Sequence, residues 1–351
     1  MTNSPTAKSE SIRIAVVGAS GYSGAELLAI LLSHPNAQIV GLYGSGKSEK
    51  AGQAPPTFAE VFGRFRKVLD LPVQATSADA IASAKAQVAF LCTPHEASLE
   101  LAPQLIERGI VVIDLSAAFR LKNASAYPTY YGFAHTHQRA LAEAVYGLPE
   151  LFREQLKKSS TRLIAAPGCY PTSIILPLSP LFKAGAIAPN TRPIIDSTSG
   201  VSGAGRKAEQ KFLFCEVSQQ AYGVFKHRHQ PEINEYVGTP TLFTPHLGQY
   251  ERGILSTIHV DLAAGWNEQR VRETLAKAYE GEQFVRLCKP GVWPAVADVR
   301  TTNFCDIGLA VDEQHHHLII TSAIDNLTKG AAGQAVQCLN VRFGIEEGTA
   351  L

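Results

Sequence analysis

The stretch IRIAVVGASGYSGAELLAILLSHPNAQIVGLYG, residues 12–44, restricts the fold more than any other. An apolar run (12–19) leads through a glycine-rich turn into a segment of helical spacing (25–34) and a second apolar run (37–44). That succession at this length is a βαβ unit, whose parallel strands are apolar on both faces because helices cover both. The texture returns in AQVAFLCTP (86–94), EASLELAPQLIERG (96–109) and IVVIDLS (110–116), so the first half predicts a doubly wound parallel sheet.

Past TRLIAAPG (161–168) the alternation stops. RGILSTIHVDL (252–262), NFCDIGLAVD (303–312) and HHLIITSAID (316–325) read as longer antiparallel strands, the last two joined across a short polar turn, and predict an α+β substrate domain. KGAAGQAVQCLNVRFG (329–344) has Ala335, Val336, Leu339 and Val341 at helical spacing, which predicts a helix packing back on the first domain. A chain of 351 residues is long for one core, and two domains are expected.

Composition removes several function classes. Lys plus Arg number 32 against 31 Asp plus Glu with no basic run, so neither nucleic acid nor an anionic membrane is an expected partner, and a small molecule is. Six scattered cysteines (92, 169, 215, 288, 305 and 338) without a C-x-x-C pair fit neither a disulfide framework nor a zinc site, and imply a reduced, cytoplasmic compartment. The start MTNSPTAKSES is polar and no stretch reaches membrane-span length, so the reading is a soluble protein with a short frayed tail. The HHH at 315–317 falls in the expected hairpin, and no metal is expected there.

Glycines at 18, 21 and 24 allow a tight turn and close backbone approach to a pyrophosphate at a helix N-terminus. Gly18, Ser20, Gly21, Tyr22, Ser23 and Gly24 are therefore candidate dinucleotide contacts. After the second strand, where an acidic residue would bind the ribose of NAD, the chain reads GSGKSEK, so Ser45, Lys47 and Ser48 favour a 2′-phosphate and NADP. LCTPHEAS (91–98) ends a strand at the sheet's carboxyl edge, making Cys92, Thr93, Pro94 and Ser98 further candidates; His95 is expected to be a local hydrogen-bonding residue rather than a base.

In AAPGCYPTS, Pro171 suits a first helical turn and puts Cys169 at a helix N-terminus, where the dipole and free N–H groups are expected to lower a thiol pKa and stabilise an oxyanion. The other cysteines read as small buried hydrophobes. A thiolate beside a nicotinamide site implies an aldehyde or an activated acyl group, reacting through a thioester. KHRHQPEI (226–233) offers the proton-transfer group: His229 is preferred and His227 is the alternative, because alternate residues of an extended segment point opposite ways. Arg120, Arg206 and Arg252 are the anion-binding candidates.

These motifs, with YGLPEL (146–151), STSGVSGAGR (197–206) and DNLTKGAAGQAVQ (325–337), stand in the order of a known family. The chain resembles the N-acetyl-gamma-glutamyl-phosphate reductases of arginine biosynthesis over nearly its whole length. The resemblance implies an NADP-binding Rossmann-type domain over 1–167, a catalytic and oligomerisation domain over 168–325 like that of the glyceraldehyde-3-phosphate and aspartate-semialdehyde dehydrogenases, and a returning helix within 326–351. It implies NADPH as cofactor, Cys169 as nucleophile, an acid/base histidine in HRHQPEI, cofactor contacts at Ser199, Gly200 and Asn326, and a homo-oligomer, most simply a tetramer. The alternatives are another semialdehyde dehydrogenase, such as one acting on aspartyl phosphate, or a sensor of NADP(H) without turnover.

Overall fold

The computed structural model describes residues 11–45 and 54–351. The N-terminal tail and the loop carrying Lys47 and Ser48 lie outside the described residues. A first sheet is formed by β1 (Ile12–Val17), β2 (Ala37–Gly44), β3 (Val73–Ala75), β4 (Val88–Leu91), β5 (Val111–Asp114), β6 (Val145–Tyr146) and β7 (Leu163–Ala165). Its order is β3-β2-β1-β4-β5-β7-β6 and every pairing is parallel. Strands β4 and β5 are buried at every position, as a sheet covered on both faces requires. The chain runs outward in opposite directions from β1 and from β4, which opens a crevice at their carboxyl ends.

The second sheet is mixed: β8 (Ile194–Ser199), β9 (Gln220–Ala221), β10 (Leu242–Leu247), β11 (Ile254–Asp261), β12 (Val285–Leu287), β13 (Cys305–Asp312) and β14 (His317–Ile324), in the order β12-β13-β14-β11-β8-β10-β9. Residues of β11 alternate between buried and partly exposed, so one face packs on a core and the other is left uncovered by this chain. The buried face receives the helix Cys169–Lys183, which is buried continuously from Tyr170 to Leu181. Pro177 and Pro180 inside this helix each forfeit a backbone hydrogen bond at about 3 kcal/mol. Full burial of Ile174, Ile175, Leu176, Leu178 and Leu181 offsets that at about 1.5–3 kcal/mol apiece.

After β14 the chain crosses back. Ala335, Val336, Leu339 and Val341 enter the core of the first sheet beside Val16, Leu28 and Ile113, as their spacing implies. The expected single helix is instead a π-turn, Thr328–Ala332, followed by an α-helix, Gly333–Phe343. Lys329 of the turn is fully buried, its Nζ 2.5 Å from Glu150 Oε1 and 2.7 Å from Gln337 Oε1. A buried ammonium survives only with such partners, so the turn is pinned to the first domain. Among the described residues no helix is long and apolar enough to cross a membrane.

Candidate active site

Gly168 caps the helix that starts at Cys169, and Pro171 falls in its first turn. The need for glycine is space: a Cβ at 168 would lie 2.6 Å from His229 Nε2 and 2.9 Å from Arg120 Nη1. Gly330 of the π-turn meets the same limit, since its Cβ would lie 2.7 Å from that of Cys169. The Gly168 N–H is held by Glu232 Oε1 at 2.8 Å, and the same fully buried carboxylate accepts from Tyr146 O–H at 2.7 Å and Arg120 Nη1 at 3.2 Å. Glu232, which the sequence reading did not single out, thus ties the nucleophile's turn to the helix Gln230–Val237.

The thiol is not depressed as its helix position suggested. Burial pushes the Cys169 thiol up, against the opposing pull of the Tyr170 N–H and of the charges on Arg120 and Arg228. Cys92 is pushed up to about 12 by burial and by Asp114. Cys305 and Cys338 are buried as expected, whereas Cys92 and Cys288 are intermediate and Cys215 is exposed.

His227 and His229 stand side by side, ring centroids 4.8 Å apart, rather than on opposite sides. The segment is a turn into a helix, not an extended strand, with His229 in the helical region of backbone space and its N–H on His227 Nδ1 at 3.1 Å. Burial, then the charges of His227, Arg120 and Arg228, hold His229 well below the usual histidine range. His227 is lowered to about 4 by burial and Arg228. His229 Nδ1 is buried without a hydrogen-bond partner among the described residues.

Two cavities meet at Cys169. The first, about 690 Å³, runs from Gly21, Tyr22 and Ser23 past Cys92, Thr93 and Pro94 to Asn326 and Gly330. The second, about 580 Å³, is lined by Tyr170, Ser199, Gly200, Tyr222, Lys226 and His227. Cys169, Arg228 and His229 line both, but His227 only the second.

The first cavity is shaped for a dinucleotide. Gly18 has a positive φ of 79°, and a Cβ there would lie 2.2 Å from the Cys92 carbonyl oxygen. A Cβ at Gly24 would lie 2.6 Å from the Gly18 carbonyl. Gly21 caps the helix Tyr22–Ser33 without a side-chain hydrogen bond, leaving its first N–H groups for an anion. Ser20 sits in this turn, beside Gly44 at the end of β2. Ser45 is exposed and lines neither cavity; Ser199 and Gly200, read as cofactor contacts, stand in the wall of the second.

Of the arginines, Arg252 lines neither cavity, and its Nε and Nη2 donate to Asp325 at 2.7 and 2.9 Å, Glu26 at 3.0 Å and Thr328 at 3.0 Å. Arg206 donates to the Ser20 carbonyl at 2.8 Å and lies over Phe62, on the cofactor side rather than the substrate side. Arg120 is buried but lines the first cavity. His95 Nδ1 accepts from the Ala117 N–H at 3.0 Å, a bond across 22 residues rather than the local one expected of it. In the histidine run His315 pairs with Asp312 and His317 with Asp261, and among the described residues no three His, Cys, Asp or Glu side chains gather as a metal site. Asn326 bridges to Ser202 Oγ at 3.0 Å and to the Gly253 N–H, holding three segments at the first cavity.

This fold is that of the semialdehyde dehydrogenases: residues 13–159 match the family model for their NAD binding domain, and residues 169–326 the model for their dimerisation domain. Aspartate semialdehyde dehydrogenase II of Vibrio cholerae superposes with a TM-score of 0.70 at 20% identity, covering 96% of this chain and 99% of that one. The Candida albicans enzyme with NADP gives 0.69 at 13%, covering 95% and 98%. The N-acetyl-gamma-glutamyl-phosphate reductase of Escherichia coli is 48% identical over 332 residues, 95% of this chain and 97% of that protein. That of Vibrio parahaemolyticus is 46% identical over 340 residues, 97% and 99%. The chain belongs to the N-acetyl-gamma-glutamyl-phosphate reductase family.

Proposed function

We propose that this chain reduces N-acetyl-L-glutamyl 5-phosphate to N-acetyl-L-glutamate 5-semialdehyde with NADPH, releasing phosphate, in arginine biosynthesis. The observation that carries the reading is the meeting of a dinucleotide-shaped cavity and a second cavity at one cysteine, in a chain of this family. Residues 1–167 hold the cofactor, 168–325 carry the chemistry and the subunit contacts, and the helix within 326–351 closes the first unit. NADP(H) fits the first cavity: the residue that follows β2 is Ser45 rather than a carboxylate, and Arg206 stands beside the glycine turn as a cation for a cofactor phosphate. When bound, it supplies the hydride.

Cys169 sulfur attacks the acyl carbon, and the thiol proton passes to the neutral imidazole of His229. The bond from the acyl carbon to the phosphate oxygen breaks and leaves a thioester. The acyl oxygen faces the N-terminus of the helix Cys169–Lys183, whose N–H groups stabilise its negative charge when the thioester is reduced. His229 then returns the proton as the aldehyde forms. His227 orders His229 through their shared backbone contact.

The uncovered face of the second sheet carries Ile194 at 46% exposure, and the excursion between β8 and β10 exposes Phe214 and Phe225. Apolar surface of this kind, in a dimerisation-domain match, supports a homo-oligomer, with a tetramer as the finer reading. All six cysteines are free, in keeping with a reduced cytoplasmic setting. The test is NADP+ reduction by N-acetyl-glutamate semialdehyde with and without phosphate, in the native chain and in Cys169→Ser. Phosphate-dependent activity lost in the variant, with NADP+ affinity kept, supports the reading; activity that survives the substitution sinks the nucleophile.

A further inference from the structure

Three of the cations near the cleft are already held by carboxylates, and Arg206 donates to the Ser20 carbonyl. Arg120 is paired with Glu232, Arg252 with Asp325 and Glu26, and Lys211 with Glu209. Arg228 is different. It is exposed, lines both cavities beside Cys169, and among the described residues no carboxylate pairs with it. Its backbone is anchored, because Tyr131 O–H donates to the Arg228 carbonyl at 2.8 Å just before the helix Gln230–Val237.

Among the described residues the side chain's single polar contact is His95 Nε2, 3.2 Å from Nη1. The His95 ring is fixed by its other nitrogen: Nδ1 accepts the Ala117 N–H, so in the neutral ring the proton sits on Nε2. Burial and the charges of Arg228 and Arg120 lower His95 to about 3, which keeps the ring neutral near pH 7. The contact is therefore donor against donor, with no acceptor between them. Two convergent donors at the junction of the cavities suit an anion, and a guanidinium fork matches phosphate oxygens in particular.

We propose that Arg228, with His95 Nε2–H beside it, is the clamp for the phosphoryl group of the acyl phosphate. The proposal rests on the acyl-phosphate reading above. As Cys169 sulfur bonds to the acyl carbon, the carbon–oxygen bond to phosphate breaks and its electron pair leaves on phosphate, where the Arg228 charge meets it. In reverse the same pair holds inorganic phosphate for attack on the thioester. The substrate's own carboxylate then lies farther along the second cavity, on the side of Lys226.

The test is steady-state kinetics in the aldehyde-oxidising direction, with phosphate, semialdehyde and NADP+ varied separately in the native enzyme, Arg228→Gln, Arg228→Lys and His95→Gln. Arg228→Gln is expected to raise the phosphate KM by about tenfold or more, with the other two KM values within about twofold. Arg228→Lys, which keeps charge but loses the fork, and His95→Gln should fall between. Phosphate should also slow alkylation of Cys169 by iodoacetamide in the native enzyme and not in Arg228→Gln, a readout that survives a variant too slow for kinetics. An unchanged phosphate KM overturns the proposal. So does a rise in semialdehyde KM alone, which would put the substrate carboxylate on Arg228. A native enzyme without phosphate-dependent turnover would overturn the parent reading itself, and is seen before any variant is compared.

Discussion

The two walls of the cleft are made differently. On the first-sheet side a ligand meets mostly backbone: the glycine turn at 18–24, a helix N-terminus without a side-chain cap, and the strand end at Cys92. On the facing side it meets side chains gathered from distant segments: Cys169 at one helix start, His227, Arg228 and His229 before another, and Asn326 beyond β14. The first wall suits a ligand recognised by its phosphates and common to many enzymes. The second suits one reaction, since each of its groups has a distinct chemical task. A fault in the first wall should weaken cofactor binding, and a fault in the second should lower kcat.

Substitutions can break that contrast. The largest effect is expected at His229: Asn there should lower kcat by about 10²–10⁴, whereas His227→Asn should cost less than about tenfold, because only His229 borders both cavities. Equal losses in the two variants would mean that the pair acts as one relay. Next comes Gly168→Ala. Its φ of −69° suits alanine, but the new Cβ must displace His229 or Arg120, so kcat should fall by about 10² with the melting temperature little changed. Gly18→Ala is the counterpart on the other wall. Positive φ and the Cys92 carbonyl both oppose it, at a cost above about 1–2 kcal/mol in stability, and the NADP+ Kd should rise more than kcat falls.

The same contrast explains what the sequence made legible. The βαβ pattern, the glycine turn and Cys169 at its helix start are features of contiguous sequence, the last two each written within about ten residues. Partnership between distant residues is not local. Arg252 looked like an anion site because its partner Asp325 is 73 residues away. Arg228 was passed over between its histidines because only the folded chain leaves it, among the described residues, without a carboxylate. The histidines were placed on opposite sides because the segment was read as extended, whereas it turns into a helix. Glu232 and Gly330 carried no signal beyond the motifs that contain them.

The smallest expected effect concerns the thiol. Burial favours the neutral form, so the Cys169 pKa lies above its ordinary value and the thiolate fraction near neutrality grows with pH. Alkylation of Cys169 in the free enzyme should then rise about tenfold between pH 7 and pH 8. A rate already flat below pH 7 would mean that the helix N-terminus and Arg228 outweigh burial. Stability also falls with acid, in a lower pH window. The unfolded chain protonates His95 and His227 near their ordinary value, while the folded chain holds them at about 3 and about 4, so folding stability should fall as pH drops below about 6.5.

The most direct measurement is mass spectrometry of the enzyme incubated with N-acetyl-glutamate semialdehyde and NADP+ in phosphate-free buffer, followed by peptide mapping and then by addition of phosphate. An N-acetyl-glutamyl adduct on the peptide containing Cys169, formed with one NADPH per active subunit and discharged by phosphate, is the expected result. Continued NADPH formation with no adduct on Cys169, or an adduct on another cysteine, would contradict the account.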